Sequence, residues 1–170
     1  MLPKSYTVFK WAVYAIATLL LCALQSLVLN HIRVLGLSPF LYPVLPALVA
    51  MFEGSRPGAV FALVFGLYCD LLVPEPFPGF FALIFPAAAI AAAWVAERLT
   101  SRGLLCALIV SALGLLLTGA LRLFVQLLSG GQYMGLMARM VVGEGMLTLP
   151  ALLAAAPLYR TIYRRCGADY

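Results

Sequence analysis

The stretch Gly103–Leu128, GLLCALIVSALGLLLTGALRLFVQLL, decides the fold: 26 residues contain one charge, Arg122. A helix crossing a bilayer needs roughly 20 mainly apolar residues, so this run is long enough to span with some tilt. Five more runs of similar character surround it, at about Trp11–Leu29, Leu35–Phe52, Gly58–Val73, Phe80–Ala96 and Met140–Tyr159. Together they read as one integral membrane domain over residues 1–170, an all-α bundle of about six transmembrane helices.

Composition excludes a soluble domain. Apolar residues make up 65% of the 170, charged residues 10%, and the mean hydropathy is +1.07. A soluble surface needs about 25% charged residues. The net charge of +5 does not point to nucleic acid, because the basic residues form no run on a soluble element and sit at the span ends instead. Cys22, Cys69, Cys106 and Cys166 lack CxxC spacing and read as small buried hydrophobes, neither a metal site nor a disulfide framework. The N-terminal apolar run is too long for a signal-peptide core and reads as a retained first span.

Breaks between the runs carry turn chemistry. Asn30-His31-Ile32-Arg33 follows span 1, Glu53-Gly54-Ser55-Arg56-Pro57 precedes span 3, and Pro74-Glu75-Pro76-Phe77-Pro78-Gly79 cannot be helical. Glu97 to Arg102 and Gly130-Gly131 mark two more junctions, and a basic tail runs from Arg160 to Tyr170. Span 2 holds Pro39, Pro43 and Pro46, so only its latter half need be regular. Spans 2 and 3 read as two crossings or as one re-entrant hairpin. With the N-terminus inside, the cytoplasmic segments collect Lys4, Lys10, Arg56, Arg98, Arg102, Arg160, Arg164 and Arg165, against Arg33 and Arg139 outside. That bias predicts both termini in the cytoplasm.

Three ionisable residues fall within spans: Asp70, Arg122 and Glu144. Charge at a helix centre in lipid costs at least about 2.5–3.5 kcal/mol, so such groups usually find partners. The topology places all three in the outer half, where Arg122 could bridge one or both carboxylates. The arrangement would serve either helix packing or a partner or ligand site. Gly58, Ala62, Gly66 and Asp70 recur at i+4 along span 3, and Gly114, Thr118, Arg122 and Gln126 along span 5. Small residues of this kind let helix backbones approach in lipid. Gln25 and Ser26 could join the polar cluster or meet headgroups, and Arg164-Arg165 would anchor the last span to anionic lipid. His31 is the single histidine. No nucleophilic triad, phosphate-binding loop or paired-carboxylate motif is present, so the residues suggest neither catalysis nor a cofactor.

Gly54-Ser55-Arg56-Pro57-Gly58, then Gly66-Leu67-Tyr68-Cys69-Asp70-Leu71-Leu72, then Pro78-Gly79-Phe80-Phe81-Ala82-Leu83 resemble the rod shape-determining protein MreD family. The acidic residue in the last span and the basic tail also fit; outside the middle third the match is hydropathy and length. The resemblance implies a non-enzymatic scaffold of bacterial cell elongation and peptidoglycan synthesis, in the cytoplasmic membrane. Its implied partners are an MreC-type single-span protein and, through it, a RodA-type polymerase and a class B penicillin-binding protein. It also implies a fold similar to the substrate-binding components of ECF transporters. That likeness supplies a second expectation: an outward pocket between spans 3, 5 and 6 that captures a vitamin or related solute.

Overall fold

The computed structural model describes residues 4–29, 31, 36–73, 77–99, 103–128, 130 and 134–166. Arg33, Arg102, the Pro74–Pro76 break, Gly131 and residues 167–170, all used above, lie outside the described residues, as do the side chains of Lys4 and Cys166. Among the described residues every regular element is helical. The helices are α1 (Lys4–Leu24), which runs on into a wider π-helical turn at Gln25–Leu29, α2 (Val44–Glu53), α3 (Ser55–Leu72), α4 (Phe80–Arg98), α5 (Leu104–Leu128) and α6 (Met134–Cys166).

Four segments are long and apolar enough to cross a membrane: Val8–Leu29, Ser55–Leu72, Phe80–Arg98 and Leu104–Leu128. A fifth is α6 if counted as one span, although it bends by 48° between Ala138–Leu152 and Ala155–Arg165. Pro150 and Pro157 lie inside it, and each removes an amide donor and crowds the preceding turn.

The expected second span departs from a membrane-length helix. Leu37–Pro43 is non-helical, and α2 has 10 residues, about 15 Å of rise or half a hydrocarbon core. The cause is in the sequence. Proline fixes its own backbone and pushes the residue before it toward extended conformations, so Pro39 and Pro43 disfavour helix through this stretch. Pro46 is tolerated because it falls in the first turn of α2, where an amide would have no intrahelical partner.

This short helix is the centre of the molecule. Every residue from Val44 to Phe52 is buried, wrapped by α3, α4, α5 and α6. Helix α2 turns into α3 through one residue, Gly54, at φ 92°, a region open to glycine at little cost. One turn into α3, a methyl group on Gly58 would lie 2.5 Å from Ala50 Cβ and 2.6 Å from its Cα. The two helices therefore touch backbone to backbone. On the outside, Ile16, Leu20, Val60, Val64, Leu83, Leu105, Leu116, Val142 and Met146 are exposed, as an apolar solvent requires.

Contacts fix how the elements run. Lys10 of α1 meets Glu53 at the end of α2, while Gln25 at the far end of α1 meets the Leu37–Pro43 segment. The molecule thus has a Lys10 end and a Gln25 end, about 23 Å apart along α1.

Candidate functional site

The Gln25 end is organised around backbone that has no helix to satisfy it. Irregular chain at membrane depth is stable only where protein or water takes its polar groups. Here three elements send side chains into one segment. Gln25, buried on α1's terminal turn, accepts a hydrogen bond from Leu41 N (3.3 Å) and donates one from Nε2 to Pro39 O. Thr148 of α6 accepts from Phe40 N (2.9 Å) while its own hydroxyl donates to Glu144 O (2.6 Å). The Arg122 guanidinium of α5 lies over the Phe40 ring, 4.4 Å from its centroid, a favourable cation–π arrangement. Leu41 O in turn accepts from Val44 N (2.9 Å) and Leu45 N (3.3 Å), which satisfies the first amides of α2.

Arg122 and Glu144 form an ion pair, Nη1 to Oε2, at 3.4 Å, with 19% and 26% of their side chains exposed. The cavity beside them, lined by Phe40, Thr118, Gly119 and Val141 among others, holds about 10 Å³. That is about the least a single water needs. Along the α5 stripe, Gly114 brings the helix to 3.0 Å between a would-be methyl and Pro43 O. Thr118 is buried with its hydroxyl bonded to Gly114 O (2.9 Å). The stripe therefore seats α5 against the proline segment and then presents Arg122 to it.

Asp70 does not join this pair. Its Oδ1 accepts from Phe81 N (2.9 Å) and its Oδ2 from Ala82 N (3.0 Å). Helix α4 begins after Gly79 with no side-chain cap of its own, so its first amides lack intrahelical acceptors. Asp70 supplies them from the neighbouring helix, and its charge suits the positive end of the α4 dipole. The expected three-way cluster is thus corrected to one pair and one cap. The physical reason is local: two orphan amides within reach satisfy both carboxylate oxygens at once. Gly66, one turn earlier, makes this possible, because a methyl there would sit 2.6 Å from Phe81 O and 2.9 Å from Ala82 Cα. Ala62, one turn further back, is fully buried. The i+4 stripe of α3 is a contact face that meets α2 at Gly58 and α4 at Gly66.

The Lys10 end holds a second polar network that sequence reading left in a turn. Glu53 pairs with Lys10 Nζ at 2.6 Å and accepts from Tyr14 OH at 2.9 Å. Thr18 donates to Tyr14 O (2.8 Å) and shares a 2.7 Å hydrogen bond with Tyr159 OH of α6. Tyr14 and Tyr159 are both fully buried with stacked rings. The signal was available: Lys10, Tyr14, Thr18, Cys22 and Ser26 recur at i+4 in an otherwise apolar helix.

His31 is exposed, and Cys22, Cys69 and Cys106 are buried. Among the described residues no three of His, Cys, Asp or Glu come together in a way that could hold a metal ion. Comparison with protein-family models, curated proteins and solved structures finds no match to this chain.

Proposed function

We propose that this chain is a non-enzymatic membrane scaffold of MreD type, acting in cell elongation through helix contacts with an MreC-type partner. In this reading it crosses the bilayer six times, with Leu37–Pro43 and α2 together making the second crossing from the Gln25 end to the Lys10 end. Both termini then lie on the cytoplasmic side, which agrees with the lysine and arginine bias.

The observation that carries the proposal is the Arg122–Glu144 pair, with 19% and 26% of the side chains exposed, on apolar helices with almost no cavity behind it. Charges at such a position are costly toward lipid, and a partner helix laid over them removes that contact. An apolar groove of about 270 Å³ between α5 and α6 adjoins the pair, sharing Leu115 and Val141 with its lining. Its floor includes Ala112 and Gly145, and a Cβ added at Gly145 would meet nothing within 4 Å. Small residues with open space suit close helix approach. A vitamin-sized solute would instead need a cavity of roughly 300 Å³ or more with converging polar groups, against about 10 Å³ at the pair.

The test is purification from native membranes with gentle detergent. An MreC-type single-span protein should co-purify with the native chain and be lost when Arg122→Leu and Glu144→Leu are combined. Isolation free of such a partner, together with normal cell shape after deletion, would defeat the proposal. A vitamin panel should leave the melting temperature unchanged, whereas tight solute binding would raise it by mass action.

A further inference from the structure

The inner ends of α2, α5 and α6 enclose a crevice of about 90 Å³ that no part of the scaffold reading uses. Its walls are Met51, Phe52, Leu104, Ala107, Ala156 and Pro157, with Arg160 at the rim. Leu104 is half exposed and Pro157 exposed, so the crevice opens sideways, toward what would be lipid. Arg160 and, one turn further along α6, Arg164 are exposed. Among the described residues neither meets a carboxylate. Of the other charges at this end, Glu53 is paired with Lys10, Arg98 lies over the Trp94 ring at 4.8 Å, and Glu97 is exposed at the end of α4. The Lys10 end also gathers Arg56 and Arg165, so its field favours anions.

We infer that this crevice seats an acyl chain of one anionic phospholipid while Arg160 holds its phosphate. The chemistry matches at both ends. Apolar walls with room for several methylenes take the chain, and a guanidinium at the mouth binds phosphate oxygens in a two-pronged geometry. Water is a poor occupant, since the walls offer it almost no polar partners. Anionic lipid is concentrated on the cytoplasmic leaflet, the side to which the basic residues assign this end.

The experiment uses the full chain in nanodiscs of equal phosphatidylglycerol and phosphatidylcholine with matched chains, read by native mass spectrometry. One phosphatidylglycerol should be retained over phosphatidylcholine by about fivefold, the effect of a single interfacial arginine. Arg160→Gln should abolish that excess and Arg139→Gln, exposed at the opposite end of α6, should leave it. Both positions are exposed, so folding is not at stake. Independently, Leu104→Trp should be quenched more by brominated-chain phosphatidylglycerol than by the brominated phosphatidylcholine, and equally once Arg160→Gln is added. Equal retention of the two lipids by the native chain would overturn the assignment. A preference that survives Arg160→Gln would do the same.

Discussion

Asp70→Ala should be among the most destabilising single substitutions of a partly buried polar residue in this protein. The change strips both acceptors from Phe81 N and Ala82 N, which sit 2.9 and 3.0 Å from the carboxylate oxygens. A buried amide left without a partner costs about 1–3 kcal/mol, whereas loss of an ordinary helix cap costs about 0.5–2 kcal/mol. Phe81 is fully buried but Ala82 is not, so water recovers part of the second bond. We expect a loss of about 3 kcal/mol, which combines these two ranges and corresponds to roughly a hundredfold in the unfolding equilibrium. Asp70→Asn keeps one acceptor but turns an amide donor toward the other N–H, and should cost about half as much. Unfolding in mixed micelles gives the energies, and hydrogen exchange at Phe81 and Ala82 reads the cap directly. Among the described residues the Phe40 and Phe81 rings, 6.3 Å apart, link the two sites, while Asp70 bonds the α4 amides and Arg122 pairs with Glu144. Asp70→Ala and Arg122→Leu should therefore add to within about 0.5 kcal/mol. Native protection of both amides in Asp70→Ala would refute the cap, and strong coupling to Arg122 would restore the three-charge cluster.

Gly66→Ala should cost about 1–3 kcal/mol by overpacking, because its methyl meets the Phe81 carbonyl and Ala82 Cα, backbone atoms that have no rotamer to yield; the same unfolding assay reads it. Gln25→Leu should cost about 2–3 kcal/mol by orphaning Leu41 N and Pro39 O, seen as faster exchange at the Leu41 amide. Arg122→Leu alone should be worse by about 1 kcal/mol than Arg122→Leu with Glu144→Gln, since removing one partner strands the other charge. Equal losses would mean that the pair is already solvated. Gly58→Leu should abolish folding in membranes, as it drives a branched side chain into Ala50; a well-behaved, monodisperse variant would show that α2 and α3 are not in backbone contact.

Buried polarity in this chain serves mainly to hold helices in place. Thr18, Gln25, Thr118 and Thr148 are each nearly inaccessible. Each hydroxyl or amide meets a specific backbone or side-chain partner. Lipid gives helices no hydrophobic reason to associate, so close packing and such bonds must supply it. That accounts for a core in which α1 is tied by Tyr14, Thr18 and Gln25 while α3 and α4 are held by glycine contact.

What the sequence determined by itself was the solvent. Runs such as Gly103–Leu128 and Phe80–Ala96 can only face lipid or each other, and these two match α5 and α4 to within two residues. By contrast, α1 begins at Lys4 and α6 runs from Met134 to Cys166, well past the expected Trp11 and Met140–Tyr159 limits. The prolines at 39, 43 and 46 likewise announced a broken second segment, since ring closure removes amides wherever it falls. Tertiary structure decided what those interruptions are for. Whether Asp70 turns to Arg122 or to the α4 amides depends on which unsatisfied groups lie within 3 Å. That distance is set by Gly66 letting two backbones meet, a contact between residues on different helices. The same holds for Gln25, whose partners at 39 and 41 are neighbours in space because α2 is buried on all sides. Periodicity records which face of a helix is apolar or small; it carries no record of which neighbour that face will touch.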